Sequence, residues 1–426
     1  MTEAPSVITV GAMRTASATI AIILLGAAFV VAGNGLLQTM LPMRSDLEGF
    51  STAMIGLQGT GYFGGFIAGC VLGPRLIKSV GHIRAFAGVV ALLAALVLIF
   101  PIWVQPAAWI GIRLVTGICL AVTYMSLESW LNDQATNANR GSILSLYFIL
   151  TNAGWIGGQL AINLASLAGA TLFLLATISI CLAVGPVALT PTREPTPIPD
   201  ARLDLPGLVR LSLVGTVGCF LVGMAEGAFW TLGPVFGQQR GMAVFEVTLL
   251  MGAFVLGGSL SQWPIGRISD NHDRRVVILP VALATIVTGL VMAYSGNLSS
   301  GPTIALAIAH GALMLPIYAL CLAHVNDSAP SDRFVQVSSG LLLIYSAGAA
   351  LGPLAAAPLM DRFGPGGLFI FVSGVLGFFA LVIAYRLVAA RHLIRLYPAR
   401  YRTTMKTTQS IYEIEGDDAS VPDDNR

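Results

Sequence analysis

The chain has 426 residues, of which 55% are hydrophobic and only 10% charged, and its mean hydropathy is +0.80. A soluble domain carries about a quarter charged residues, so this much apolar surface needs lipid, and 23 Lys and Arg against 21 Asp and Glu leave no broad basic field for nucleic acid. The five cysteines (Cys70, Cys119, Cys181, Cys219, Cys321) fall in apolar runs without a CxxC pair, so they read as small core residues and imply neither a metal site nor a cofactor.

Residues 1–16 form a polar N-terminal segment, and the apolar run after them is longer than the core of a signal peptide, so it is expected to remain as the first span. About 20 apolar residues cross a hydrocarbon core about 30 Å thick. Twelve such runs follow in chain order: 17–41, 54–74, 84–103, 107–131, 141–165, 168–188, 210–236, 245–266, 275–295, 302–325, 335–359 and 366–388. They are continuous, not alternating, which excludes a β-barrel. The expected class is therefore an all-α polytopic membrane protein. A linker at 190–209, with Pro191, Pro195, Pro197, Pro199 and Pro206, separates a six-helix bundle at 17–189 from another at 210–388, and a tail covers 389–426.

Placing the N-terminus inside leaves only Arg44, Arg240 and Arg362 on external loops and Arg113 within the membrane. The positive-inside rule then puts both termini in the cytoplasm, and a bacterial inner (plasma) membrane is the expected location. The basic stretch before the acidic end of the tail can rest on anionic lipid.

Sliding the second half onto the first by 194 positions aligns Gly117 with Gly311, Tyr124 with Tyr318, Asn132-Asp133 with Asn326-Asp327, Gly154 with Gly348 and Gly158 with Gly352. A slightly smaller shift aligns Arg75 with Arg267 and Pro42 with Pro234. Both copies enter the membrane from the same side, so they are parallel repeats, and a site is expected between them near the midplane.

Arg113, Gly117, Tyr124 and Glu128 lie within roughly 60° of one helix face. A charge at mid-bilayer costs on the order of 2.5 to 3.5 kcal/mol on insertion scales, so that face must line a cavity or pair internally. Arg113 is a candidate for anion binding or coupling, and Glu128 for a gate or proton role. Glu226 and Trp230 share a face of the seventh span, where the first half has Asn34 and Gln38. Glu226 is the deeper carboxyl and the better proton carrier. His310 and His324 in the tenth span are ionisable groups within apolar sequence.

The stretch Gln262-Trp263-Pro264-Ile265-Gly266-Arg267-Ile268-Ser269-Asp270-Asn271-His272-Asp273-Arg274-Arg275 resembles the loop signature of the major facilitator superfamily, with Asp273 where the family has glycine. Its first-half counterpart, residues 74–84, is degenerate, with Lys78 in place of the aspartate. Arg113-Leu-Val-Thr-Gly117 resembles the fourth-helix arginine motif associated with proton coupling. With Leu127-Glu128-Ser129-Trp130 and Asn139-Arg140-Gly141, the features are most similar to the YcaD-type branch. The antiporter signature of the fifth helix is absent; its counterpart in the eleventh reads Gly348-Ala349-Ala350-Leu351-Gly352-Pro353.

The resemblance implies helices one, four, seven and ten around a cavity, so the pathway set is Asn34, Gln38, Arg113, Tyr124, Glu128, Glu226, Trp230, His310 and Tyr318. It also implies a cytoplasmic gate of Lys78, Asp133, Arg140, Asp270, Arg274 and Asp327, in which Arg274 pairs with Asp327 and Asp270 approaches the start of helix five. The expected function is alternating-access transport of a small solute by a monomer, with protons as a candidate second partner and lipid as its surroundings. An efflux pump is one variant. A membrane sensor on the same scaffold is the rival reading, and an enzyme is not expected, since no cluster of nucleophile, base or metal ligands stands out.

Overall fold

The computed structural model describes residues 7–134, 140–188, 204–296, 298–329 and 334–396. Residues 1–384 form one compact unit and 385–426 a second, which holds the last turns of the final helix. The long helices of the first half are α1 (Val7–Leu47), α2 (Thr52–Val80), α3 (His82–Ile99), α4 (Pro106–Gln134), α5 (Arg140–Ala161) and α6 (Thr171–Ala188). A short α7 (Leu205–Leu211) leads into α8 (Leu213–Gln239), α9 (Val244–Asp270), α10 (Arg274–Ala293), α11 (Ser300–Asn326), α12 (Phe334–Phe363) and α13 (Gly367–Leu396). Among the described residues, ten of these are long and apolar enough to cross a membrane. α5 and α6 complete the twelve, the apolar stretch of α6 being the shorter Thr171–Gly185.

The seventh run differs from its expected start at 210. Asp204 caps α7 by accepting from the Gly207 backbone N at 3.0 Å, and Ser212 caps α8 by accepting from Gly215 N at 3.1 Å. Two N-caps eight residues apart break one apolar run into two helices, because each hydroxyl or carboxyl satisfies a helix-start N–H that a continuous helix would not expose.

The two halves repeat each other in space. α1 packs on α5 and α6, α2 on α4, and α3 on α4 and α6. α8 packs on α12, α9 on α11 and α10 on α11 in the same pattern. α13 meets α8 through Phe229 and Phe236 against Phe369, and α10 through the Ser373 hydroxyl, which donates to the Ile286 carbonyl at 3.3 Å. Glycine makes these contacts possible. A Cβ at Gly117 would strike the Tyr62 carbonyl, and one at Gly311 the Phe254 carbonyl. Gly154 and Gly158 sit on the carbonyls of Ala28 and Ala32, as Gly348 and Gly352 do on those of Phe220 and Met224. The partners are displaced along the chain by one common interval, so the repeat extends to the atoms the glycines touch. With lipid as apolar as leucine, such close backbone approach is what holds membrane helices together. The Gly348 to Gly352 run is thus occupied in packing α12 on α8.

Candidate functional site

The halves are tied at the far face, where α1 and α8 end. The Gln239 amide donates to Asp46 Oδ1 at 3.1 Å, the Asn163 amide to Thr248 Oγ1 at 3.2 Å, and the Thr60 hydroxyl to the Ala350 carbonyl at 2.6 Å. Gly59 lies against Thr231, and Gly56 against the Pro353 carbonyl. Just beneath, Trp155 of α5 meets Trp230 of α8 edge-on, with ring centroids 5.7 Å apart.

Below this closure each half contributes a polar set. In the first, Arg113 on α4 is buried at 6% exposure; its Nη2 donates to Gln38 Oε1 at 2.5 Å and its guanidinium lies 4.2 Å from the Tyr62 ring centre. The Asn34 amide donates to the Tyr124 hydroxyl at 3.4 Å, while its Oδ1 is buried without a partner. Among the described residues no carboxylate pairs with Arg113, whose partners are all neutral.

In the second half, Glu226 on α8 is 5% exposed, and its Oε2 accepts from the Tyr345 hydroxyl at 2.7 Å. Its Oε1 is buried without a partner. The Tyr345 ring lies 4.8 Å from that of Tyr318 on α11. Trp230 packs on Phe229 and Phe254 as well as Trp155. Glu128 is exposed and 3.4 Å from the Tyr147 hydroxyl of α5.

His310 lies elsewhere. It is fully buried, with Nδ1 2.9 Å from Thr288 Oγ1 on α10 and its ring beside Phe254 and Phe369. These partners all belong to the second half; Nε2 is buried without a partner, and Phe254 in turn packs on Trp230.

At the base face, Arg274 at the start of α10 forms a fork on Asp327, Nε to Oδ2 at 2.5 Å and Nη2 to Oδ1 at 3.1 Å. Its Nη1 also reaches Asp270 Oδ1 and Ser269 Oγ, both at 3.2 Å. The fork thus staples α9, α10 and α11 inside the second half. Beside it, Asp273 caps α10, and the Arg275 guanidinium at 2.7 Å holds the Asp273 carboxyl below the usual carboxylate range.

The first half has no such fork among the described side chains. His82 opens α3 where Arg274 opens α10; it is buried, with Nε2 3.2 Å from Ser129 Oγ. Asp133 and Lys78 are exposed, and the side chain of Arg140 lies outside those described.

Sequence reasoning missed Tyr62, Trp155 and Tyr345. Each is an aromatic residue with a polar atom inside an apolar span, a signal readable in the sequence but shared with many packing residues.

A family model described as Major Facilitator Superfamily matches the chain twice, at residues 23–214 and 215–406. The uncharacterized MFS-type transporter YcaD of Salmonella arizonae is 26% identical over 87% of this chain and 96% of its own. An uncharacterized MFS-type transporter of Yersinia pestis is 26% identical over 85% and 94%. Among solved structures, the nucleoside transporter NupG superposes with a TM-score of 0.72 at 13% identity, covering 86% of this chain and 98% of that one. A bacterial homolog of the human lysosomal transporter Spinster, in an inward-facing and unoccupied conformation, gives 0.66 at 15% identity over 89% and 98%.

Proposed function

Because the chain belongs to the Major Facilitator Superfamily and is an integral membrane transporter by that membership, we propose that it moves a small solute by alternating access through a site between its halves, with Glu226 carrying the coupled proton. The observation that carries the reading is a pair of buried ionisable groups, Arg113 from one half and Glu226 from the other, each without a charged partner among the described residues. An arginine at mid-bilayer costs about 2.5 to 3.5 kcal/mol on insertion scales, and residues of this kind characteristically mark substrate and ion pathways. A carboxyl so placed needs a proton or a cation to be tolerated, which is the property a coupling group uses. On the positive-inside orientation the tied far face is external, so the structure corresponds to a state closed outside. Both termini are then cytoplasmic, and the bacterial relatives favour an inner membrane.

The test is solute flux into proteoliposomes with and without an imposed pH gradient. Arg113→Ala is expected to lower flux at least tenfold, and Glu226→Gln to abolish its dependence on the gradient. Wild-type flux from both variants between pH 5 and 8, in protein that reaches the membrane, makes them structural residues and ends the coupling reading.

A further inference from the structure

The polar groups at this site are an incomplete set, and what is missing describes the ligand. Arginine does not give up its proton in proteins, so the buried Arg113 retains a full positive charge that Gln38 and the Tyr62 ring only solvate. One cation without a counter-charge calls for one anion. The neighbouring surface is aromatic: Trp155 lies against Gly35 of α1, one turn from Gln38, and its ring meets Trp230 across the halves. The Trp155 Nε1 and both amide atoms of Gln159, one turn further along α5, are buried without partners, at a typical cost of about 1 to 3 kcal/mol each.

We propose that the solute is an amphiphilic organic monoanion, its carboxylate held by Arg113 and its flat apolar body resting on Trp155 and Trp230. This rests on the reading of the inter-half site as the solute site. A dianion such as a phosphate monoester leaves one charge uncompensated in a low-dielectric setting. An α-amino acid fits poorly as well. It brings a second charge, and among the described residues no carboxylate is bonded to Arg113 or to its partner Gln38 to receive the ammonium.

The experiment uses the full chain in detergent, with thermal stabilisation and tryptophan fluorescence as readouts. The probes share one body and differ in charge: 3-phenylpropanoate, its primary amide, phenylalanine and phenyl phosphate, with indole-3-acetate and benzoate as further monoanions. The monoanions are expected to stabilise the protein and perturb its fluorescence, with the amide, the zwitterion and the dianion at least tenfold weaker. Arg113→Gln is expected to weaken monoanion binding about 100-fold, the scale for removing one partner of a buried charge pair, while leaving the unliganded protein no less stable. Arg113→Lys restores part of the binding. Equal or tighter binding of the amide or of phenylalanine, no response to any monoanion, or unchanged binding in Arg113→Gln overturns the proposal. Flux separates the two readings: a monoanion that binds through Arg113 and is never moved refutes transport at this site, whereas flux of a neutral solute by a protein blind to monoanions refutes only the ligand class.

Discussion

Gly59 offers a direct handle on the closed far face. The residue sits on α2 where that helix meets α8, and a Cβ there would strike the Thr231 hydroxyl and come within 2.6 Å of Thr231 Cγ2 and 2.9 Å of its Cβ. Thr231 is itself buried, at 7% exposure, so it has little room to yield. Gly59→Leu overpacks this contact, at about 1 to 3 kcal/mol. The contact joins the halves, so the penalty falls on the state in which the far face is closed and is relieved when it opens. A differential of that size shifts the ratio of the two states about 5- to 150-fold. The assay is labelling by a membrane-impermeant maleimide at Gln38→Cys, beneath the closure, in a background lacking the five native cysteines. Far-side labelling is expected to rise in Gly59→Leu. Gly158→Ala is the control, since its Cβ collides with the Ala32 carbonyl inside the first half; it is expected to lower thermal stability by a few degrees without changing sidedness. Unchanged labelling in folded Gly59→Leu refutes the assignment of this contact to a movable closure.

Tyr345→Phe removes the hydroxyl that donates to Glu226, and a double-mutant cycle with Glu226→Gln in thermal stability is expected to show coupling of about 1 kcal/mol; additivity of the two changes would mean the bond contributes nothing. At the base face the Arg274 staple lies inside the second half, so it is through the contact with the start of α5 implied by the family resemblance that Asp270→Asn is expected to raise base-side cysteine accessibility, whereas the exposed Lys78 can be replaced by Ala with little change; equal profiles for the Asp270 variant and wild type refute a gate role. Asp273→Ala is expected to cost about 1 kcal/mol through loss of the α10 cap. Because hydrogen bonding to Arg275 lowers the Asp273 carboxyl in the folded state, the charged part of its contribution is complete above the unfolded value of about 4 and fades as pH falls through the folded one. The stability gap between wild type and Asp273→Asn should therefore narrow below about pH 4, and a gap that widens there refutes the Arg275 bond as its source.

The sequence by itself determined the membrane class, twelve apolar runs and their duplication, because length and apolarity are local properties that the bilayer reads segment by segment. It also marked Gly117, Gly154 and Gly158 with their second-half mates as special, since only a missing side chain repeats so conspicuously. What those glycines face was decided in three dimensions, by carbonyls on α2 and α1 and on α9 and α8. The break at Ser212 depended on whether its hydroxyl caps a new helix, a choice that apolar composition does not register. Among the candidate site residues, Arg113 and Glu226 were legible because a charge inside a span is costly wherever it points. Tyr62, Trp155 and Tyr345 were not singled out, because a tyrosine or tryptophan in an apolar helix is a signal shared with many packing residues and gains a role only from the neighbour it meets. His310 shows the converse: its sequence neighbourhood matches that of a pathway residue, yet the turn of α11 aims it at Thr288 and Phe369. On the helices that carry no such charge, tertiary structure alone could decide which side looks between the halves, since there every face is apolar enough for lipid and only contact with other helices distinguishes them.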